Sequence, residues 1–464
     1  MSRVAFSVAM PTTTDRVLTE HLLQHYARDR QEDLCFALWR PSQGRSRYSA
    51  LVRDVILPEP GERALHGNVS FNGGYFERAL AYALDAGAGL AFMHSHPTSG
   101  WQGMSRDDVV AEERLAPRVF GTTGLPLLGM TVGTDGSWSA RFWLRRDRSV
   151  YDRHWCGSVR VAGDGLRTTF HDRLAPPPPF REELKRTVSA WGEAKQQNLA
   201  RLRVGVVGLG SVGGLISEAV SRQGTEDVML VDFDRVERHN LDRLVHVIAA
   251  DIGRLKVEVS SERLTRSATS ARFRAEPLPF SIVDSEGFRA ALDCDVLFSC
   301  VDRPWPRYVL NTIANAHLIP VVDGGVRVSL TRQGQMRGAD WRAHIVAPGQ
   351  PCLACLGQYD PAEVSLERAG FLDDPSYMAA LPKEHAARSN ENVFTFGMNA
   401  AGLQMLQFLS MVVEPSGIAI PGALNYHFAT ASLDRGGQDG CVSECFFPSL
   451  AAMGDHSIIN PLRS

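Results

Sequence analysis

The stretch Arg203–Gly224, RVGVVGLGSVGGLISEAVSRQG, constrains the fold more than any other part of the chain. It reads as a strand, a glycine turn and a helix, with Gly208, Gly210 and Gly213 in Gly-x-Gly-x-x-Gly spacing. Glycines at such a turn let the backbone approach phosphates at a helix N-terminus, where free N–H groups and the helix dipole favour anions. DVMLVDFD follows as a second strand, and CDVLFSCVD is a later one. Strands separated by helical segments predict a parallel, doubly wound sheet. Asp232 ends the second strand, where a carboxylate can accept hydrogen bonds from ribose hydroxyls. Taken alone, these features fit NAD or FAD binding, or a glycine turn that serves only close packing.

The residues just downstream favour a different chemistry. Asn240 and Arg243 lie past the second strand, and Lys256 follows in DIGRLKVE. Hydride transfer has no need of them, whereas adenylyl transfer needs cations to neutralise triphosphate charge. Asp302, at a strand end, is a magnesium-site candidate. The run Gly208, Gly210, Gly213, Asp232, Asp234, Asn240, Arg243, Lys256, Asp302, Arg307 and Asn311 resembles the pattern of the ThiF-type adenylyltransferases. That superfamily includes ubiquitin-activating enzymes and the enzymes that activate sulfur-carrier proteins. The resemblance covers residues 180–450 and implies a Rossmann-like α/β domain that binds ATP and Mg2+. It makes Asp232 the ribose ligand, Arg243 and Lys256 phosphate ligands, Asn240 a polar contact and Asp302 the magnesium ligand. It also implies an arginine reaching a nucleotide from a preceding helix across a homodimer. Arg186 is the candidate for that role, with Arg181 and Lys185 nearby.

Cys352 and Cys355 form one close pair, Cys441 and Cys445 another. The N-terminal stretch MSRVAFSVAMPTTTDR does not read as a secretory signal, so the pairs are expected to be metal ligands before disulfides. Four thiolates on two loops make a closed tetrahedral zinc site. ThiF-type members often carry such a structural zinc on two Cys-x-x-Cys pairs; the second pair here is Cys-x-x-x-Cys. Thioester-forming members usually place a nucleophilic cysteine downstream of the first pair, but no cysteine occurs between Leu356 and Gly440. Cys294 and Cys300 sit in apolar strand contexts, and Cys35 and Cys156 lie outside the domain. The expected product is an acyl-adenylate, taken over by an outside nucleophile: a partner's cysteine, a sulfide donor or an amine.

Near the N-terminus, GLAFMHSHPTSGWQGMSRDD ends a buried strand in His94 and His96. Side chains alternate along a strand, so both imidazoles face one side. Two imidazoles and a carboxylate can hold zinc and leave one position open for water. The plain alternative is two loop histidines beside a helix capped by Ser105. His94, His96, Pro97, Ser105 and Asp108 together resemble the JAB/JAMM metalloprotease signature, His-x-His-Pro and then Ser-x-x-Asp, over residues 12–148. The resemblance implies an α/β metalloprotease domain with His94, His96 and Asp108 on a catalytic zinc. Asp107 competes as third ligand; Asp108 keeps the Ser-x-x-Asp spacing. It makes Glu32 the general base, ahead of Glu20, Glu59 and Glu62, and gives Ser105 a part in stabilising the tetrahedral intermediate.

At 464 residues several domains are expected. The expected division is a JAB/JAMM domain over 1–150, a linker over 151–180 containing Pro176–Pro179, and a ThiF-type domain over 181–464. The formal net charge of −3 gives no overall pull toward nucleic acid or an anionic membrane. No apolar run reaches the roughly 18 residues of a spanning helix. A cytoplasmic location is expected. The two resemblances share one substrate class, a small β-grasp ubiquitin-like protein. The zinc site would trim it or remove it from a target, and the second site would adenylylate its C-terminal glycine. Any conjugating-enzyme-like partner would be a separate chain. The pairing resembles bacterial ubiquitin-like conjugation systems, some linked to antiviral defence. Two alternatives stand beside it: activation of a sulfur carrier for metabolite biosynthesis, and a non-catalytic binding scaffold.

Overall fold

Two cores, one on each face of its central strands, explain the first sheet of the computed structural model, which describes residues 4–26, 30–66, 68–245, 247–381, 391–414, 420–436, 440–457 and 460–463. Its elements are β1 (Ala5–Pro11), α1 (Thr12–Leu23), β2 (Leu34–Gln43), β3 (Arg47–Ile56), the hairpin β4–β5 (Arg63–His66, Asn68–Phe71), α2 (Gly73–Asp85), β6 (Gly89–Ser95), α3 (Arg106–Thr123), β7 (Leu127–Val132) and β8 (Trp138–Arg145). β9 (Tyr151–Trp155), β10 (Ser158–Ala162) and β11 (Leu166–Phe170) complete it, in the order β11-β10-β1-β3-β2-β6-β7-β8-β9. Cys35, Ala37, Ala91 and Met93 share one core with Leu18 and Leu22 of α1. The alternate residues Leu34, Phe36, Leu90 and Phe92 share another with Phe76 of α2 and Leu115 of α3. β2 and β6 are therefore covered on both faces, which is why they read as continuous apolar runs.

One boundary differs from the sequence reading. Of the expected linker over 151–180, residues 151–170 instead form β9, β10 and β11 of the first sheet. β10, all five residues buried, lies parallel to β1 with Val8 opposite Val159. An edge filled by a strand far away in sequence leaves no local periodicity to announce it. The extended connection is confined to the neighbourhood of the proline run.

The second half holds α4 (Lys185–Trp191), α5 (Glu193–Ala200), β12 (Arg203–Val207), α6 (Ser211–Arg222), β13 (Asp227–Val231), α7 (Lys256–Ser267), β14 (Arg274–Leu278), α8 (Ser285–Ala291), β15 (Val296–Ser299), α9 (Pro304–Ala316), β16 (Val321–Leu330) and β17 (Met336–Val346). After these come α10 (Pro361–Arg368), α11 (Pro375–Ala380), α12 (Phe394–Val413), β18 (Ala423–His427) and β19 (Ser432–Gly436). The helical segment before β12 is split in two, because Gly192 takes φ +88 between α4 and α5. The sheet order is β14-β13-β12-β15-β16-β17-β18-β19, parallel through β16 and antiparallel beyond. This is the doubly wound sheet expected from the strand–helix alternation. α6 and α12 pack with Val204 and Val206 on one face, α8 and α9 with Val207 and Met229 on the other. α12 is long and apolar enough by composition to cross a membrane, although no apolar run of that length was read in the sequence. It packs on β16, β17 and α6, and its buried Gln404 and Gln407 donate to the carbonyls of Val322, at 3.0 Å, and Gly422, at 2.6 Å.

The two sheets meet through buried charge. The β2–β3 turn brings the Ser46 and Arg47 amides onto Asp293 at 2.9–3.1 Å. Arg47 and Arg160 both donate to Asp295, at 2.6 and 2.7 Å. Burial would raise the Asp295 carboxyl, but the two guanidiniums hold it down to about 2.

Candidate functional site

The first site stands on the alternation of β6. His94 continues the parity of Leu90 and Phe92, so it faces α2 and α3, and His96 repeats that facing just past the strand. α3 starts across from them. Ser105 caps it reciprocally: its hydroxyl accepts from the Asp108 amide at 3.1 Å, and its own amide donates to Asp108 Oδ2 at 2.6 Å. The cap leaves the same carboxylate turned to the histidines. Asp108 Oδ1 is 3.3 Å from His94 Nε2, Oδ2 is 3.2 Å from His96 Nε2, and the two ring nitrogens are 3.1 Å apart. Cap and candidate ligand are thus one arrangement, and Asp107 stays exposed outside it. Three donors of this kind converging to within 4.8 Å fit a zinc ion. Burial lowers the His94 pKa, which favours the neutral, ligating imidazole.

Glu32, half-buried just before β2, lies close enough to feel both His96 and Asp108. Burial and the Asp108 charge raise its carboxyl, while His96 opposes them, so its environment favours taking up a proton. The neighbouring Asp33 is fully buried; it pairs with Arg63 and accepts from Gln24 at 3.0 Å. Sequence reasoning missed three further residues around this site: Glu112, Thr131 and Arg141. The available signal was a lone arginine inside the apolar strand WSARFWL.

The second site lies at the C-terminal ends of β12 and β15, where the strand order reverses and ligands of doubly wound sheets bind. Gly208 takes φ +89, and a side chain on it would meet the Cys300 carbonyl at 2.6 Å. A side chain on Gly213 would overlap the Gly208 carbonyl. Gly210, which precedes α6, faces open space, so backbone N–H groups there are approachable. Asp232 accepts from the Leu209 amide at 2.6 Å and from the Asp234 amide at 2.8 Å. Burial raises its carboxyl against the pull of Lys256. Lys256, nearly buried at the start of α7, donates to Asp234 Oδ2 at 2.7 Å.

The remaining predicted residues divide. Asp302 is exposed two residues beyond Cys300, beside the glycine turn. Asn240 accepts from the Glu237 amide at 3.0 Å, fixing the loop after Asp232. Arg243 folds back on the His239 carbonyl and onto Asp242 at 2.9 Å. Arg307 donates to the Val301 carbonyl at 2.8 Å and so steadies the Asp302 loop. Asn311 is not at the nucleotide turn; it bonds the Leu353 amide and the Tyr359 hydroxyl, both at 3.1 Å. Arg186 is exposed on α4, two residues past Leu184, whose side chain abuts Gly224 at the far end of α6. α6 is about 18 Å long, so Arg186 stands at the opposite end of the sheet from its own glycine turn.

The third cluster joins two distant loops. Cys352 Sγ is 3.7 Å from Cys445 Sγ, and the Cys352 amide donates to Cys441 Sγ at 3.2 Å. With Cys355 the four sulfurs lie within 4.8 Å, which fits a closed zinc site despite the wider second spacing. The bond from Cys441 pulls the Cys352 thiol down to about 5 against the cost of burial. The other four cysteines are free thiols. Burial pushes Cys294 up to about 12 and raises Cys35, Cys156 and Cys300 as well, so none is an activated thiolate.

The first two sites lie away from the seam between the sheets. β2 pairs Leu34 with His94, while its other end, nine residues on, docks at Asp455 and Asp293, about 30 Å away by strand rise. Asp295 Oδ2 accepts from the Arg203 amide at 2.9 Å, at the start of β12, and Gly208 is about 17 Å further along.

The model of the ThiF family matches residues 183–430 of the 464. Over 163 residues the chain is 29% identical to the molybdopterin-synthase adenylyltransferase of Escherichia coli, covering 35% of this chain and 61% of that protein. It is 30% identical over 165 residues to the SAMP-activating enzyme E1 of Haloferax volcanii, covering 36% of this chain and 57% of that one. The chain thus spans about three fifths of the length of these relatives. A solved structure of E. coli MccB with MccA-N7isoASN superposes over 57% of this chain and 74% of MccB, at 14% identity and a TM-score of 0.45.

Proposed function

We propose, since the chain belongs to the ThiF family, that its second domain uses ATP and Mg2+ to adenylylate the C-terminal carboxylate of a small β-grasp protein. We propose in addition that its first domain is a JAB/JAMM zinc peptidase or isopeptidase acting on the same protein. The observation that carries the joint reading is that one chain holds both the convergent His94–His96–Asp108 donors and the glycine turn at the strand-order reversal. The substrate class comes from the relatives, named for molybdopterin synthase and for SAMP.

In the second site the Gly210 turn receives the phosphates, and Asp232 holds the ribose once it exchanges its Leu209 bond for a hydroxyl. Lys256, released from Asp234, and Arg243, unfolded from His239, neutralise the charge that builds as pyrophosphate leaves. Asp302 would hold the magnesium. Arg186 belongs to the site of a second copy in a homodimer. With every non-cluster thiol shifted away from thiolate, the adenylate passes to an outside nucleophile.

In the first site, His94, His96 and Asp108 would hold zinc, which when bound would supply an acidified water as nucleophile. Glu32 stands where it can accept a proton and return it to the leaving amine. The Ser105 hydroxyl, whose oxygen accepts from Asp108, keeps its own proton free to donate to the oxyanion. The remoteness of both sites from the seam means that a tail visits them in separate binding events.

The test is ATP–pyrophosphate exchange by the full chain with Gly-Gly-tailed β-grasp proteins of the same genome, alongside cleavage of their extended forms. No exchange with any of them would remove the adenylylation reading. The sulfur-carrier alternative is favoured by the lack of an activated thiol outside the four-cysteine cluster among the described residues; it predicts a thiocarboxylate rather than an amide when the reacted protein is weighed by mass spectrometry.

A further inference from the structure

We propose that the buried Arg141–Glu112 pair, acting through Thr131, is the positioning device of the His94–His96–Asp108 centre; this rests on the zinc reading above. Arg141 on β8 and Glu112 on α3 are completely buried. Arg141 Nε donates to Glu112 Oε2 at 3.0 Å, its Nη2 reaches Oε1, and Trp143 Nε1 adds a third bond at 2.6 Å. Taking two charges out of water is costly, and apolar replacements of such pairs often leave a fold as stable or more so. Folding alone therefore does not account for this one.

Its location does. Glu112 lies four residues after Asp108, on the same face of α3, so anchoring Glu112 aims Asp108 at the histidines. A side chain on Gly129 would overlap the Glu112 carboxylate, so glycine on β7 admits the helix at this height. From the other side, Arg141 Nη1 donates to Thr131 Oγ1 at 2.6 Å. Thr131 is the direct cross-strand neighbour of His94, and its hydroxyl oxygen is 3.5 Å from His94 Nε2. A ligating histidine is usually held by an acceptor at its second nitrogen, but His94 Nδ1 is buried with no hydrogen-bond partner. Thr131 Oγ1 instead packs beside Nε2, the nitrogen turned to the metal position, and so limits the rotation of the ring by contact rather than by a hydrogen bond at its second nitrogen. One guanidinium thus ties the strand-borne ligand and the helix-borne ligand to a common anchor.

The experiment measures zinc affinity of the full chain by competition with a chelator, with the His94→Ala chain as blank for metal held elsewhere. It also records the visible spectrum of the cobalt-substituted protein, which reports ligand geometry. The double variant Glu112→Leu/Arg141→Met should unfold at an unchanged midpoint as the apo protein, bind zinc about 10–100-fold more weakly and shift the cobalt bands. Thr131→Val, which removes one hydroxyl, should weaken zinc in the same direction and keeps the test decisive if the double variant fails to fold. Wild-type affinity and spectrum in either folded variant would overturn the positioning role. A wild-type chain that takes up no more metal than the His94→Ala blank would overturn the zinc reading itself, and this inference with it.

Discussion

Arg160 of β10 and Asp295 of the β15 approach form a 2.7 Å ion pair across the seam between the two sheets, with side chains only 1% and 2% exposed. Arg47 completes the arrangement from β3. Asp295 is thus the buried carboxylate on which two seam cations converge. The Arg203 amide at the head of β12 shares the same carboxylate.

Asp295→Asn should therefore separate the domains energetically. Removing the carboxylate leaves two buried guanidiniums uncompensated, a loss of about 3–5 kcal/mol. Urea unfolding followed by near-UV circular dichroism should show the transition moving to lower urea, with the two halves no longer unfolding together. An unchanged midpoint would mean that the seam is held by its apolar contacts.

His317 gives the seam a pH dependence. It is buried against Ser42, whose hydroxyl is 2.8 Å from its Nδ1, and burial lowers its pKa from 6.5 to about 3. A depressed folded pKa means that the stability is fully present above the unfolded value. It falls as the pH drops from 6.5 toward 3, at about 1.4 kcal/mol per pH unit for the one proton. His317→Asn should flatten the acid limb of stability measured between pH 7 and 4. Parallel acid limbs in the two proteins would assign the dependence to other groups.

Glu32→Gln should abolish peptidase activity while zinc remains bound, whereas His94→Ala and Asp108→Ala should lose the metal. Loss of about two to three orders of magnitude in rate is expected for the glutamate. Metal content by elemental analysis, read beside the activity, distinguishes a base from a ligand. If Asp107→Ala sheds the metal and Asp108→Ala does not, the register at the start of α3 is different in solution.

Cys352→Ser should lower the zinc content from about two ions to about one per chain and destabilise the second domain, because structural zinc contributes directly to folding free energy. Full metal content and an unchanged melting temperature would show that the four sulfurs serve packing only.

Gly213→Ala should eliminate ATP–pyrophosphate exchange, since its methyl group would overlap the Gly208 carbonyl and open the turn. Asp302→Ala should lower exchange by about 100-fold or more. Cys294→Ala with Cys300→Ala should leave it nearly intact, and non-reducing gels should show no thiol-sensitive adduct with the partner. An adduct that vanishes in one cysteine variant would identify an acceptor in this chain.

Local geometry was legible in the sequence because it depends on neighbours a few residues apart. The period of a strand puts His94 and His96 on one face, the glycine spacing shapes the turn before α6, and Ser105 with Asp108 writes its own helix cap. Wherever residues distant in the chain had to meet, the tertiary structure decided. It brought Asp108 rather than Asp107 to the histidines, and joined Cys352 to Cys441 across 89 positions. It drew β10 and β11 out of the supposed linker into the first sheet, and carried Arg186 to the end of α6 remote from its own glycine turn. It also assembled Arg141, Glu112 and Thr131 beneath the candidate metal centre. The physical reason is the same in each case: backbone conformation is set by adjacent residues, whereas burial and charge pairing are satisfied only by whichever partners the packed sheets bring within reach.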